Sequence, residues 1–179
     1  MRSYPTDSLS EIILESLDNA WTPLVDRMAD LADDEYMWEP VAGCWTVRAN
    51  GEGTMIADWA DPDPVPAPVT TIAWRTWHIA ADCLDGYSQR LFERAGTGLS
   101  GPRWVSSVDE ARAMLGAAWA LFRSGVEGWG DEGLWPLLGQ AWGPFATYTN
   151  LDLVLHAQRE VIHHGAEIAL LRDLYAFRR

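Results

Sequence analysis

Hydrophobic side chains recur every three to four residues over four stretches of the chain, which is the spacing of amphipathic helices. Between these stretches the pattern is lost in segments rich in glycine and proline, which stop helices. Nothing alternates over enough residues to predict a large sheet, although the pattern allows short pairing around residues 45–48. The predicted helices span, in order, residues 7–32, 70–94, 107–126 and 149–177.

Three of these helices begin at recognisable capping signals. Asp7 or Ser8 precedes the first apolar turn, and both residue types are favoured N-caps. The tetrapeptide SVDE (107–110) has the form of a capping box at the start of the third helix. Thr149 or Asn150 is the expected N-cap of the last helix, so the local sequence specifies where these helices start.

The connections between the helices differ in length and character. Residues 39–69 form a long segment rich in proline and glycine, with the acidic run DWADPDPVPAP, and residues 127–148 form a second long loop. The first of these loops is long enough that helices one and two need not be neighbours. We therefore predict an all-α fold, a four-helix bundle with a long crossover between helices one and two, formed by residues 1–179 as a single domain.

Composition and charge restrict the partners of this protein more than they restrict its fold. The 179 residues include 48% hydrophobic and 22% charged side chains, which suits a compact domain with a sizeable core. The net charge of −13 argues against nucleic acid and anionic membranes, because their phosphates need a basic surface. The N-terminus lacks the apolar core of a signal peptide, so we expect a cytoplasmic protein. Small molecules and a second copy of the chain, as a homodimer, are the expected partners.

The strongest chemical signal is the run HAQREVIHH near the C-terminus, which holds three of the four histidines. At helical spacing His156, Glu160 and His164 lie on one face of the last helix, whereas His163 lies about 100° away. The fourth histidine, His78, is in the second helix. If the two helices pack together, His78 meets Glu160 and His164 in a site of two imidazoles and one carboxylate, with coordination positions left open.

Other interpretations of these residues stay open at this point. A histidine among aromatic and apolar residues, such as His78, is often a core side chain bonded to a backbone carbonyl. Glu160 and His164 also have the spacing of an ordinary surface pair. However, Glu160 lies beside the apolar stripe of its helix, and a buried carboxylate needs a partner. The ExxH spacing of Glu160 and His163 resembles half of a di-iron site, but the sequence holds no second ExxH.

Four further residues are candidates for contact with substrate. His156 is eight residues from His164, which is a rise of about 12 Å along a helix, so one ion cannot be reached by both without strain. We therefore expect His156 to contact bound water or substrate and not to bind the metal. Trp45, Trp142 and Tyr148 are bulky aromatic residues in loops, and such residues often line a cleft, so we expect them at the mouth of the pocket.

Three segments of the chain are similar to the DinB-like superfamily, which includes mycothiol-dependent maleylpyruvate isomerases and bacillithiol transferases. They are EPVAGCWTVR (39–48), TIAWRTWHIAADCLDGYSQRLF (71–92) and REVIHHGAEIALLRDLY (159–175). The similarity covers nearly the whole chain in the same order. It implies a four-helix bundle with the long crossover after helix one. It also implies a divalent metal held by a histidine of helix two and by an i, i+4 pair on the last helix.

The ligands implied by this resemblance fall on His78 and on the pair Glu160 and His164. The family pair is usually HxxxH, so the glutamate is a departure that lowers the positive charge of the site and favours harder metals. Zn, Ni, Fe or Mn is the implied ion. The implied function is a metal-dependent transferase or isomerase that uses a low-molecular-weight thiol, such as mycothiol, on a small electrophilic substrate. The alternative is a non-catalytic bundle that binds a metal or small molecule in a stress-related or biosynthetic accessory role.

Overall fold

The computed structural model describes residues 8–62, 64–92 and 101–178. It is mostly helical with one small pair of strands, which agrees with the all-α prediction. Within these ranges every helix is too short or too polar to span a lipid bilayer. The main elements are α1 (Leu9–Met28), α2 (Asp33–Tyr36), β1 (Val47–Ala49), β2 (Met55–Ala57), α3 (Ile72–Trp77), a π-helical segment (His78–Asp85), α4 (Gly86–Leu91), α5 (Val108–Trp129) and α6 (Asn150–Ala176).

The first and last of the long helices begin at capping boxes encoded in the local sequence. Ser8 Oγ accepts a hydrogen bond from Glu11 N at 3.3 Å, and the Glu11 carboxylate accepts one from Ser8 N at 2.8 Å. Thr149 and Asp152 form the same reciprocal pair at the start of α6. Asp7, the other predicted cap of α1, lies outside the described residues.

The capping box predicted for the third helix is wrong. Helix α5 does begin at Val108, but the Ser107 side chain makes no capping hydrogen bond there. The Val108 amide donates instead to the Asp33 carboxylate at 2.7 Å, so a residue of α2 satisfies this helix end. Helix α1 also ends earlier than predicted, at Met28, because Ala29 has extended backbone angles.

The second predicted helix contains a π-helical segment that the sequence analysis did not anticipate. The helix is continuous from Ile72 to Leu91, and its hydrogen-bond pattern widens between His78 and Asp85. A π turn holds more residues than an α turn, so it changes which side chains share a face. The predicted end of this helix at residue 94 lies outside the described residues.

Helices α1, α5, α6 and the helix that contains the π-helical segment pack around one apolar core. α1 lies against α5 and α6, and the π-helical segment also lies against α5 and α6. Trp21 of α1 stacks on Trp119 of α5 with ring centroids 4.6 Å apart. This packing sets the π-helical segment beside the middle of α6. The side chains that are at most 2% exposed on α1 and α6 include Leu17, Leu24, Val154, Ala157, Val161 and Ile168.

The long connection after α1 folds back onto the start of α3. β1 and β2 pair in antiparallel fashion, in keeping with the short pairing that the sequence allowed. Trp45 N donates to Val69 O at 2.8 Å, and Trp45 O accepts from Thr71 N at 2.9 Å. These two bonds hold Trp45 next to the first turn of α3, and so within reach of the residues around His78.

Candidate metal centre

His78, at the start of the π-helical segment, meets Glu160 and His164 of α6. One coordinating atom of each residue lies within 4.8 Å of the others. Glu160 Oε2 is 3.4 Å from His78 Nε2 and 3.2 Å from His164 Nε2. The three side chains are only 21%, 14% and 12% exposed, in the order His78, Glu160, His164. The structure therefore brings together the three residues that the sequence assigned to the metal.

The two nitrogen–oxygen distances are longer than those of a strong ion pair. A charge-assisted N–H···O hydrogen bond measures about 2.7–2.9 Å. Two ligand atoms that are each about 2.1 Å from a tetrahedral ion lie about 3.4 Å apart. The spacing around Glu160 fits ligands around an ion, and without an ion the same atoms form long hydrogen bonds. Three protein ligands leave one position of a tetrahedral ion open, as in catalytic zinc sites.

Each of the two histidines has its second ring nitrogen next to a carboxylate. His164 Nδ1 lies 2.7 Å from Glu167 Oε2. His78 Nδ1 lies 3.1 Å from Asp82 Oδ2, without the alignment of a hydrogen bond. Without an ion, the Nε2–H of each histidine faces Glu160. When an ion replaces that proton, a carboxylate beside Nδ1 stabilises the tautomer whose Nε2 lone pair binds the metal. Arg75 contacts Glu167 in turn and holds that carboxylate in place.

The electrostatics of the site set its protonation before an ion binds. Hydrogen bonds from His164 and His78 hold the pKa of Glu160 well below its usual range. Burial disfavours the charged form of His78, but the carboxylates of Asp82 and Glu160 outweigh burial and raise the pKa of His78 to about 9. Burial lowers the pKa of His164. At pH 7 the site therefore holds an ionised Glu160, a protonated His78 and a neutral His164.

His156 lies beside this group but outside it. Its Nε2 is 3.5 Å from Oε1 of Glu160, the oxygen that faces away from the other two histidines. Its Nδ1 forms a hydrogen bond of 3.1 Å with the Tyr87 hydroxyl. Burial lowers the pKa of His156, so its neutral form prevails at pH 7. His156 thus has one nitrogen towards a candidate ligand and the other towards the wall of a cavity.

One cavity borders a candidate ligand, His164, and a second, larger cavity borders His156. The larger one, of about 650 Å³, is lined by His156, Trp142 and Tyr148 among others. The smaller one, of about 270 Å³, is lined by His164 itself and by Trp45. From the sequence, we predicted that all three aromatic residues lie at the mouth of one pocket. The structure divides them between two cavities, because Trp45 is held at the start of α3 whereas the others belong to the loop before α6.

A family model described as the DinB superfamily matches residues 16–168 of this chain. The chain belongs to the DinB superfamily. The crystal structure of a conserved protein from Enterococcus faecalis is similar, with a TM-score of 0.62 and 15% sequence identity over 97% of this chain and 100% of that one. At this identity the similarity concerns the fold alone. A search of curated proteins found no significant match.

The site of this DinB superfamily protein includes residues that the sequence analysis did not single out. Asp82 follows His78 by four residues and Arg75 precedes it by three, so helical spacing already contained a signal for both. Tyr87 is different, because its contact with His156 depends on how the second helix packs on α6. The Arg90 and Arg159 side chains, which line the larger cavity, likewise carry no local signal.

A divalent ion that binds His78, Glu160 and His164 is expected to release about one proton at pH 7. His78 must lose a proton to bind an ion, since its pKa is raised to about 9. Glu160 and His164 are already in their metal-binding forms. The apparent zinc affinity should therefore rise about tenfold per pH unit below pH 9 and level off above it. Calorimetric titration of zinc in buffers of different ionisation enthalpy counts the protons released.

The matched variant for this measurement is Asp82→Asn. It removes a negative charge that raises the pKa of His78, so fewer protons should be released at pH 7. A wild-type protein that binds zinc without proton release would contradict the protonation assigned to His78.

Proposed function

We propose that this protein is a metal-dependent transferase or isomerase that uses a low-molecular-weight thiol on a small electrophilic substrate. The observation that carries the proposal is the arrangement of His78, Glu160 and His164 at ligand-like spacing, beside a cavity that borders His164 and a larger one that borders His156. DinB superfamily proteins are typically metal-binding, which supports the metal part of the proposal. We also propose that the chain forms a single domain with the architecture of a four-helix bundle. The contacts among α1, α5, α6 and the π-helical segment favour this architecture.

The donor set suits a divalent ion of intermediate hardness. Two imidazoles and a carboxylate accept Zn, Ni, Fe or Mn, and Glu160 offsets one of the two positive charges. When bound, a divalent ion supplies the positive charge that keeps a thiol deprotonated at neutral pH, and the thiolate is the nucleophilic form. Mycothiol is the co-substrate that we propose on the basis of the family resemblance.

The residues around the ligands have separate tasks in this proposal. Glu167 and Asp82 orient the imidazoles of His164 and His78, so that both Nε2 atoms face Glu160. His156 receives a hydrogen bond from Tyr87 or donates one to it, and its ring borders the larger cavity. His156 is therefore placed to exchange a proton with a molecule in that cavity.

The two cavities near the candidate metal centre suit a reaction between two molecules. The smaller cavity touches a candidate ligand directly through His164, with Trp45 as part of its wall. The larger cavity approaches the site through His156, with Trp142 and Tyr148 in its wall. In this proposal one reactant approaches through the cavity that borders His164, and the other through the cavity that borders His156. An intracellular thiol also fits the cytoplasmic location expected from the sequence.

Thiol conjugation tests this function directly. We expect metal-loaded protein to accelerate the conjugation of mycothiol to an electrophile, and we expect chelation to remove the acceleration. Rates with generic electrophiles should be low, because Glu160 weakens the Lewis acidity of the bound ion. For the same reason Glu160→His should raise the rate. Mycothiol, bacillithiol and cysteine compared in one assay would identify the thiol.

A His156→Ala variant separates proton transfer from metal binding. The variant should keep its metal while the rate falls by about 10²-fold, which is typical for loss of a general acid or base. If the variant lost its metal, the ligand set would have to include His156. If no thiol reacted in the metal-loaded wild-type protein, the alternative of a non-catalytic binding bundle would replace the enzyme.

A further inference from the structure

Several arginines of this acidic protein lack a close carboxylate partner among the described residues, and two of them, Arg90 and Arg159, line the same cavity. Arg90 makes no ion pair with any carboxylate in the part of the chain that the structure describes. Arg159 has one weak neighbour, Glu160, whose Oε1 lies 4.0 Å from its Nε. Both side chains line the cavity of about 650 Å³. By contrast, closer ion pairs join Arg27 to Asp173, Arg48 to Glu39 and Asp58, Arg75 to Glu167, Arg123 to Asp18 and Glu127, and Arg172 to Glu35.

The charge of the cavity wall is therefore positive in a chain whose net charge is −13. The wall also contains Asp152, but its carboxylate already accepts hydrogen bonds of 2.8 Å from the backbone and hydroxyl of Thr149. Asp152 thus serves the helix cap, and the two guanidinium groups of Arg90 and Arg159 are the charges left for a ligand. A cavity with this excess of positive charge favours an anion.

Arg90 is held in a fixed position in this wall. Its guanidinium lies 3.5 Å from the centroid of the Trp142 ring, and its Nη2 donates to Ala141 O at 2.8 Å. Stacking on an aromatic face uses the flat side of the group and leaves other N–H donors at its edge available. Arg159, whose side chain is 68% exposed, is free to turn towards a ligand.

The rest of the wall is apolar and aromatic. Phe145 and Tyr148 meet edge to face, with ring centroids 5.5 Å apart, and Leu138 and Leu155 add aliphatic surface. Flat aromatic surfaces of this kind favour a planar apolar body. The volume is within the range of about 300–1,000 Å³ that is usual for small-molecule sites.

We propose that the larger cavity binds a small planar organic acid. Its carboxylate pairs with Arg159 and Arg90, its apolar body lies against Trp142 and Tyr148, and its other end faces His156. The cavity as an acid-binding site stands by itself. Naming this acid as the electrophilic reactant rests on the proposed function.

Binding of 2-naphthoate and of its neutral amide, 2-naphthamide, to the metal-free protein tests this site without any turnover. We expect calorimetry to show at least about tenfold tighter binding of the acid, because only the acid forms charge-assisted hydrogen bonds with the arginines. Arg159→Gln should reduce acid affinity about tenfold and leave amide affinity unchanged. Arg112→Gln is the matched control, since Arg112 lies outside this cavity, and it should bind both compounds as the wild type does.

Several outcomes would overturn the site. The first is equal affinity for the acid and the amide. The second is the same acid affinity in Arg159→Gln and Arg112→Gln. The third is acid binding that occurs only in metal-loaded protein and is unchanged in Arg159→Gln. The last result would mean that the carboxylate binds the ion and not the arginines. Naphthoate binding without any thiol conjugation would leave this site intact and reject the enzyme. Conjugation without preference for acids would support the enzyme and reject the acid as its electrophilic reactant.

Discussion

Replacing His164 by alanine is expected to abolish stoichiometric metal binding, whereas His163→Ala should leave it intact. His164 Nε2 is 3.2 Å from Glu160 Oε2 in a shielded position. His163 is the next residue, yet its side chain is 62% exposed and its Nε2 contacts Glu167 instead. Loss of a direct ligand should exceed the roughly 10–100-fold loss of affinity that follows removal of an outer partner. Elemental analysis after dialysis, with zinc titration against a chromophoric chelator, measures the difference.

The two substitutions form a matched pair at consecutive positions of α6, whose side chains point about 100° apart around the helix. Both remove an imidazole from α6, so any general effect on helix stability should be similar, and circular dichroism checks it. Glu167→Gln should give an intermediate result, a loss of about 10–100-fold, because it keeps the ligand but removes the carboxylate behind it. Equal metal loss in His163→Ala and His164→Ala would show that the ligand set has been assigned to the wrong histidine.

Replacing Arg172 by methionine is expected to lower the free energy of unfolding by about 3–5 kcal/mol. Arg172 Nε donates to Glu35 Oε1 at 2.8 Å, and Glu35 is only 8% exposed. Its Nη1 also donates to the carbonyls of Arg27 and Ala29, at 2.6 and 2.7 Å. The variant therefore leaves a buried carboxylate and two carbonyls at the end of α1 without their donor. Urea denaturation of the wild type and the variant gives the difference.

Arg112→Met is the control for this prediction. Arg112 lies 4.0 Å from Asp109 on an exposed surface of α5, where an ion pair contributes about 0–1 kcal/mol. A double variant, Arg172→Met with Glu35→Leu, should recover part of the stability, because it also removes the unpaired charge. If the free energies of unfolding of Arg172→Met and Arg112→Met differed by less than about 1 kcal/mol, the ion pair of Arg172 with Glu35 would not stabilise the end of α1.

The capping residues show how far local sequence predicts this fold. Thr149 caps α6 as expected, because the capping box needs only residues within one turn of each other. Ser107 has the same local signal at α5 but is not used, because Asp33 reaches the Val108 amide from α2. The contact between Val108 and Asp33 joins residues 75 positions apart, whereas the expected capping box joins residues three positions apart. Only the packed chain brings Val108 and Asp33 together.

In the candidate metal centre, too, some features follow from the local sequence and others only from tertiary packing. By itself the sequence determined that the long helices are amphipathic and that Glu160 and His164 share a face, because both follow from the helical repeat. Only the tertiary structure decided that His78 stands 3.4 Å from Glu160, that its helix becomes π-helical there, and that the predicted pocket residues line two cavities. The reason is physical: these features depend on how helices distant in sequence pack, and no local period encodes that packing.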